Sequence, residues 1–258
     1  MADGMQITSL KGQVSEEEWN ARVDLAAMYR LTALYGWTDM IFTHISHRVP
    51  GPEHHFLINP FGMHFDEITA SSLVKIDLEG NIVQESPYSV NAAGFTIHSA
   101  LHANSELANV VMHVHTIDGV GVSAQEEGLL PISQHALQVI HDLAYHDYEG
   151  IALDHDERER IVADIGDKTM LILRNHGTLT VGETAAACFL RMYYLEKACS
   201  MQVAALSGGR ENVKMLGQEV QDVVKSQFST PTVNLVSTVL AWPGLLRQLD
   251  RELPGYDA

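Results

Sequence analysis

The chain has 258 residues, 46% hydrophobic and 19% charged, with a formal net charge of −17. This composition excludes a disordered chain, and the length suffices to bury a sizeable core. The negative balance excludes wide contact with nucleic acid or an anionic membrane, and no apolar run approaches the roughly 20 residues of a membrane span.

The opening, MADGMQITSL, lacks the basic flank and apolar stretch of a signal peptide, so a cytoplasmic location is expected. Ser15-Glu-Glu-Glu18 reads as a capping box that opens a helix through about Tyr35. Residues 42–49 and 56–59 read as strands around the turn Pro50-Gly51-Pro52, and Asn59-Pro60-Phe61-Gly62 is another turn. Residues 74–78 and 81–83 flank Glu79-Gly80 as a hairpin. A helix is expected over 92–103, a strand over 110–115 and a further helix from Gly119 to Ala124. The stretch 134–148 is mixed and receives no assignment.

Residues 157–165 read as a helix, 170–174 and 178–181 as strands, and 183–206 as a long amphipathic helix stopped by Gly208-Gly209. Two shorter helices are expected near 213–225 and 245–253. Alternating helices and strands with several hairpins predict a layered α/β sandwich. Cys188 and Cys199 fall on one helix, roughly 16 Å apart along its axis, which excludes a disulfide between them.

The informative excess is in histidine, at 14 residues. In the strand around His113-Val114-His115 both imidazoles point to one face, about 7 Å apart at Cα, and can converge on one metal. Chance is the competing reading of this pair in so histidine-rich a chain. The second signal is Leu171-Ile-Leu-Arg-Asn-His176-Gly177, an apolar strand running into a histidine. The glycine there permits a tight backbone, and a capping histidine is the alternative.

The run from Ile58-Asn-Pro-Phe-Gly62 through Ile68-Thr-Ala-Ser-Ser-Leu73, Asn91-Ala-Ala-Gly-Phe95, His113-Val-His115 and Arg174-Asn-His-Gly177 resembles class II aldolases and the adducin head domain. The resemblance covers about residues 20–206. It implies one domain over 1–258 with a C-terminal helical extension over 207–258, built on a central, mainly antiparallel sheet between helical layers. It also implies one divalent metal on His113, His115 and His176, with zinc ranked ahead of manganese, iron and cobalt, and a homotetramer with the metal near a subunit interface. The stretch from Tyr145 to Gly150 could then reach a neighbouring subunit's site.

The chain departs from the family's sugar-phosphate aldolases at the position of their acidic acid/base residue, where Gly94 stands. His98, one helical turn on, and His44 are the replacements, since an imidazole suits proton transfer near neutrality. His44 matches a position where those enzymes carry a phosphate-touching asparagine. Phe61 replaces a threonine, and Ala92-Ala93 replace serines. Phe61, Gly62, Asn91 and Gly94 are the candidate substrate-binding positions. The lost hydroxyls and amides argue against a sugar phosphate and for a small oxo- or hydroxy-acid.

The expectation is therefore a metal-dependent carbon–carbon lyase, a retro-aldolase or decarboxylase. The alternatives are a non-haem iron oxygenase and a non-catalytic, adducin-like assembly or cytoskeletal-binding domain. His54, His55 and His64 are expected at the surface, and His102, His135, His141, His146 and His155 in structural places.

Overall fold

A computed structural model describes residues 7–105, 107–150, 157–228, 235 and 237–258. The first helix, α1 (Glu16–Leu34), starts where expected: the Ser15 side chain accepts the Glu18 N–H, and Glu16, Glu17 and Glu18 sit at the positive end of the helix dipole. It leads into three short strands, β1 (His44–Arg48), β2 (Phe56–Ile58) and β3 (Val74–Ile76). Next come α2 (Ala92–Asn104), β4 (Val110–Val114), α3 (Ile117–Ser123), α4 (Gln134–Val139) and β5 (Leu143–His146). Finally, α5 (Glu157–Ile165), β6 (Met170–Leu173) and β7 (Gly177–Gly182) precede α6 (Ala185–Leu206), α7 (Gln218–Phe228) and α8 (Trp242–Glu252).

The seven strands form one sheet in the order β3-β2-β1-β4-β7-β6-β5. Every neighbouring pair is antiparallel except β5 with β6. The expected α/β sandwich with a mainly antiparallel sheet is what forms. On one face Ile45, Leu57, Met112 and Val114 pack beneath α1, α6 and α8 through Leu25, Met28, Phe189, Met192 and Trp242. On the other, Val111, Leu171, Leu179 and Val181 pack against Ile97 and Leu101 of α2 and Ile161 and Ile165 of α5. Alternation along β4 therefore sends Val111 and His113 toward α2, and Met112 and Val114 toward α6.

Several boundaries differ from expectation. The strand expected from Phe42 begins at His44, because Thr43 has φ 64 and leaves the extended conformation a ladder needs. The hairpin at Glu79-Gly80 has a regular strand on one side only. Asp77 Oδ1 accepts the Glu79 and Asn81 N–H groups, closing a local loop, and the returning chain contributes a single bridge, Ile76 to Ile82. The unassigned stretch resolves into α4, a 3-10 turn over Ile140–Asp142 and the edge strand β5. Helix α7 starts five residues later than expected, after Leu216 N–H has bonded to the Pro131 carbonyl. Helix α8 starts three residues earlier, at Trp242, with Pro243 in its first turn.

Candidate metal centre

His113 enters from β4, on the α2 side of the sheet, and is 3% exposed. His115 follows just past the strand end, half-buried. His176 comes from the turn between β6 and β7. Sequence reasoning gave that turn's tight backbone to Gly177, but the left-handed residue is Asn175, at φ 57. Gly177 is needed for a different reason. A Cβ there would lie 2.5 Å from the Val114 carbonyl oxygen, 3.1 Å from His115 Cδ2 and 3.3 Å from His113 Cε1. Glycine lets β7 start hard against the two β4 histidines.

The three rings converge. Their centroids are 4.6 Å (His113–His115), 4.8 Å (His113–His176) and 4.8 Å (His115–His176) apart. One ring nitrogen from each lies within 4.8 Å of the others, and His113 Nε2 and His115 Nε2 are 2.8 Å apart.

The outer nitrogens of His113 and His115 are committed elsewhere. His113 Nδ1 lies 2.9 Å from the Thr178 carbonyl oxygen, which can only accept, so Nδ1 carries the proton and Nε2 presents its lone pair inward. His115 Nδ1 lies 3.1 Å from Asp39 Oδ2, which favours the same tautomer. Burial, reinforced by His176, His115 and His44, holds the His113 pKa well below the usual histidine value. Burial and the nearby His115 bring His176 down to about 4. Neutral imidazoles with converging lone pairs are the form that binds a divalent ion, so the donor set fits one.

Behind the triad the α2 side of the sheet holds a file of further imidazoles. His44 and His113 are cross-strand partners, with ring centroids 6.0 Å apart. The His98 ring, on α2 and 1% exposed, packs 4.1 Å from the His44 ring. Ser46 Oγ lies 2.6 Å from both His98 Nδ1 and His102 Nε2, and His102 Nδ1 lies 2.5 Å from the Ala108 carbonyl oxygen.

The carbonyl fixes every hydrogen in that row. His102 must donate from Nδ1, so its Nε2 accepts the Ser46 hydroxyl proton, and Ser46 in turn accepts from His98 Nδ1. Neutral His98 is left with a bare lone pair on Nε2, buried without a hydrogen-bond partner among the described residues. Burial brings His102 down to about 3 and holds His98 well below its usual value, His44 and His102 adding to the latter.

Of the candidate substrate-binding positions, Phe61 and Gly62 lie on the exposed turn after β2, where Phe61 N–H bonds to the Ser89 carbonyl. Asn91 is half-buried just ahead of α2, and Gly94 falls in the first turn of that helix. Tyr148 stands beside the triad of its own chain, its ring 6.1 Å from that of His176.

His54 and His64 are exposed and His55 is half-buried. His102 is buried under Phe56, and His146 is buried between Asp164 (2.7 Å) and Glu157 (3.5 Å). His141 bonds to the Gln221 carbonyl, and His135 lies against Tyr194. His155 lies outside the described residues.

Sequence reasoning missed Asp39, Ser46, Thr178 and Glu196. Glu196 offered a signal: it interrupts the apolar α6 stripe of Met192, Leu195 and Cys199, and it is 2% exposed. Asp39 and Ser46 sit in unremarkable local sequence.

Residues 23–203 match the family described as the class II aldolase and adducin N-terminal domain. A Caulobacter vibrioides protein, provisionally named an aldolase class 2 protein, is 65% identical over 257 residues, 99% of each chain. Mouse alpha-adducin is 47% identical over 200 residues, 76% of this chain and 27% of adducin. The crystal structure of an aldolase II superfamily protein from Pseudomonas syringae superposes with a TM-score of 0.91 at 49% identity, covering 97% of this chain and 100% of that one. Among the described residues no helix is long and apolar enough to cross a membrane.

Proposed function

The chain belongs to the class II aldolase and adducin family, and from that premise we propose that it is a divalent-metal-dependent carbon–carbon lyase, of retro-aldolase or decarboxylase type, acting on a small non-phosphorylated oxo- or hydroxy-acid. The observation that carries this reading is the convergence of His113, His115 and His176, whose candidate ligand nitrogens lie within 4.8 Å of one another. Three imidazoles leave coordination positions open, as a catalytic site requires. A divalent ion held there supplies Lewis-acid stabilisation of the negative charge that develops when a bond next to a carbonyl breaks.

The chain's own residues then do the following. Thr178 and Asp39 hold the outer nitrogens of His113 and His115, so that both rings present Nε2 to the ion. His44, cross-strand from His113, moves the proton to or from the reacting carbon. His98 stands behind it with Nδ1 given to Ser46, and acts through His44. Phe61, Gly62, Asn91 and Gly94 remain the proposed substrate-binding positions, from the family resemblance. Met40 and Phe42, exposed beside Asp39, and Tyr148 beside His176 favour a substrate with an apolar body. We take the working form to be a cytoplasmic homotetramer, with zinc as the first candidate ion.

The test is a screen of non-phosphorylated oxo- and hydroxy-acids with metal-replete protein, run with and without dioxygen. Oxygen-independent cleavage that His113→Ala abolishes is expected. Turnover surviving that substitution would sink the reading, and strictly oxygen-dependent turnover would replace it with an oxygenase.

The likeness to alpha-adducin favours a second reading, a non-catalytic assembly domain. Protein purified without chelators, and still empty after added zinc, manganese, cobalt or iron, would favour it.

A further inference from the structure

Helix α6 buries Met192, Leu195 and Cys199 against the sheet, and Glu196 is buried with them. A carboxylate in an apolar layer is costly unless its oxygens find donors. Both do. Oε1 accepts from Thr178 Oγ1 at 2.5 Å, and Oε2 accepts from Thr116 Oγ1.

These two threonines flank the histidine centre. Thr116 directly follows His115, and its oxygen already accepts the Gly119 N–H at the start of α3, which leaves its hydrogen for Glu196. Thr178 is two residues past His176, and its carbonyl takes the Nδ1 proton of His113. One side chain from α6 thus ties the exit of β4 to the entry of β7, the two strand ends that supply the triad.

The packing leaves room for this tie at one further point. A Cβ on Gly119 would lie 2.7 Å from Thr116 Oγ1 and 2.9 Å from Glu196 Oε1. Glycine at 119 is what lets the carboxylate reach both hydroxyls.

We propose that Glu196 is a positioning residue of the histidine centre, setting the separation of His115 from His176 and the aim of His113 through Thr178. The role rests on the reading that the triad holds a divalent ion. Both threonines donate, which favours the ionised side chain against the burial that pushes the Glu196 pKa up to about 7. Glutamine offers one acceptor oxygen and one amide donor, so one of the two hydroxyls meets a donor and the tie opens on that side.

The test is zinc and cobalt(II) affinity, by competition with a chromophoric chelator, together with the visible spectrum of the cobalt form. Glu196→Gln and Thr178→Val should each weaken binding about 10- to 100-fold and shift the cobalt bands. Thr178→Ser, which keeps the hydroxyl, should restore both. The double variant Glu196→Gln/Thr178→Val should bind no more weakly than the poorer single variant, because both changes cut one tie. Should Glu196→Gln fail to fold, Thr178→Val and Thr178→Ser, which preserve volume or hydroxyl in turn, decide the matter alone. Wild-type affinity and unchanged bands in folded Glu196→Gln or Thr178→Val would overturn the positioning role while leaving the metal site standing. A wild-type chain that binds neither ion would overturn both.

Discussion

His44 and His113 sit directly opposite one another on the β1–β4 ladder, and their side chains share the α2 face of the sheet. The pairing gives His44 a place fixed by backbone hydrogen bonds rather than by a loop. Its distance to the histidine triad is therefore set by the sheet and not by the surface loops.

Replacing His44 with glutamine removes the proposed proton carrier and keeps a polar side chain of similar reach. Turnover on any substrate that the screen identifies should fall by about 10²–10⁴, the usual worth of general acid–base catalysis. Zinc content should stay at its wild-type level. Measuring both in the same preparation separates the roles: loss of zinc together with activity would mean that His44 supports the metal rather than the proton.

Gly177→Ala places a methyl group 2.5 Å from the Val114 carbonyl oxygen and against the two β4 histidines. The strand must move, at a cost of about 1–3 kcal/mol in an already filled space. Chemical denaturation should show that loss, and chelator competition should show weaker zinc binding. A variant with wild-type stability and affinity would mean that β7 has slack where the structure shows none.

His102 provides a pH test. Its folded pKa is about 3 against an ordinary 6.5, because burial disfavours the charged ring. The unfolded chain therefore takes up a proton between pH 6.5 and about 3 that the native state refuses. The stability present above pH 6.5 is lost as the pH falls through that window, with a slope approaching about 1.4 kcal/mol per pH unit. Urea denaturation of metal-free protein from pH 7.5 to 4 should show the fall. In His102→Gln, which can still donate to Ala108, the slope should diminish by about one proton. An unchanged slope would show that His102 is not the group responsible.

How much of this was legible in the sequence follows from how local each signal is. His113, His115 and His176 were legible as a set through the family resemblance, since chance and a capping role remained open for the two local motifs. The helices α1 and α6 carried their own stop and start signals, Ser15 for one and Gly208-Gly209 for the other. The long-range contacts around the triad were not readable, although Glu196 stands out as an acid in the apolar α6 stripe. Asp39 meets His115 across 76 positions, and Glu196 meets Thr116 across 80, so no window of sequence contains either pair. The edge strand β5 was hidden for a related reason. Its four residues follow a helix and a 3-10 turn without a break, and it is a strand because it lies parallel beside β6.

The row from His98 through Ser46 to His102 ends on the oxygen of Ala108, an atom with no hydrogen to pass on. Such a row can polarise its neighbours but cannot conduct. A proton released at His44 would therefore find no exit through the back of the sheet along this row.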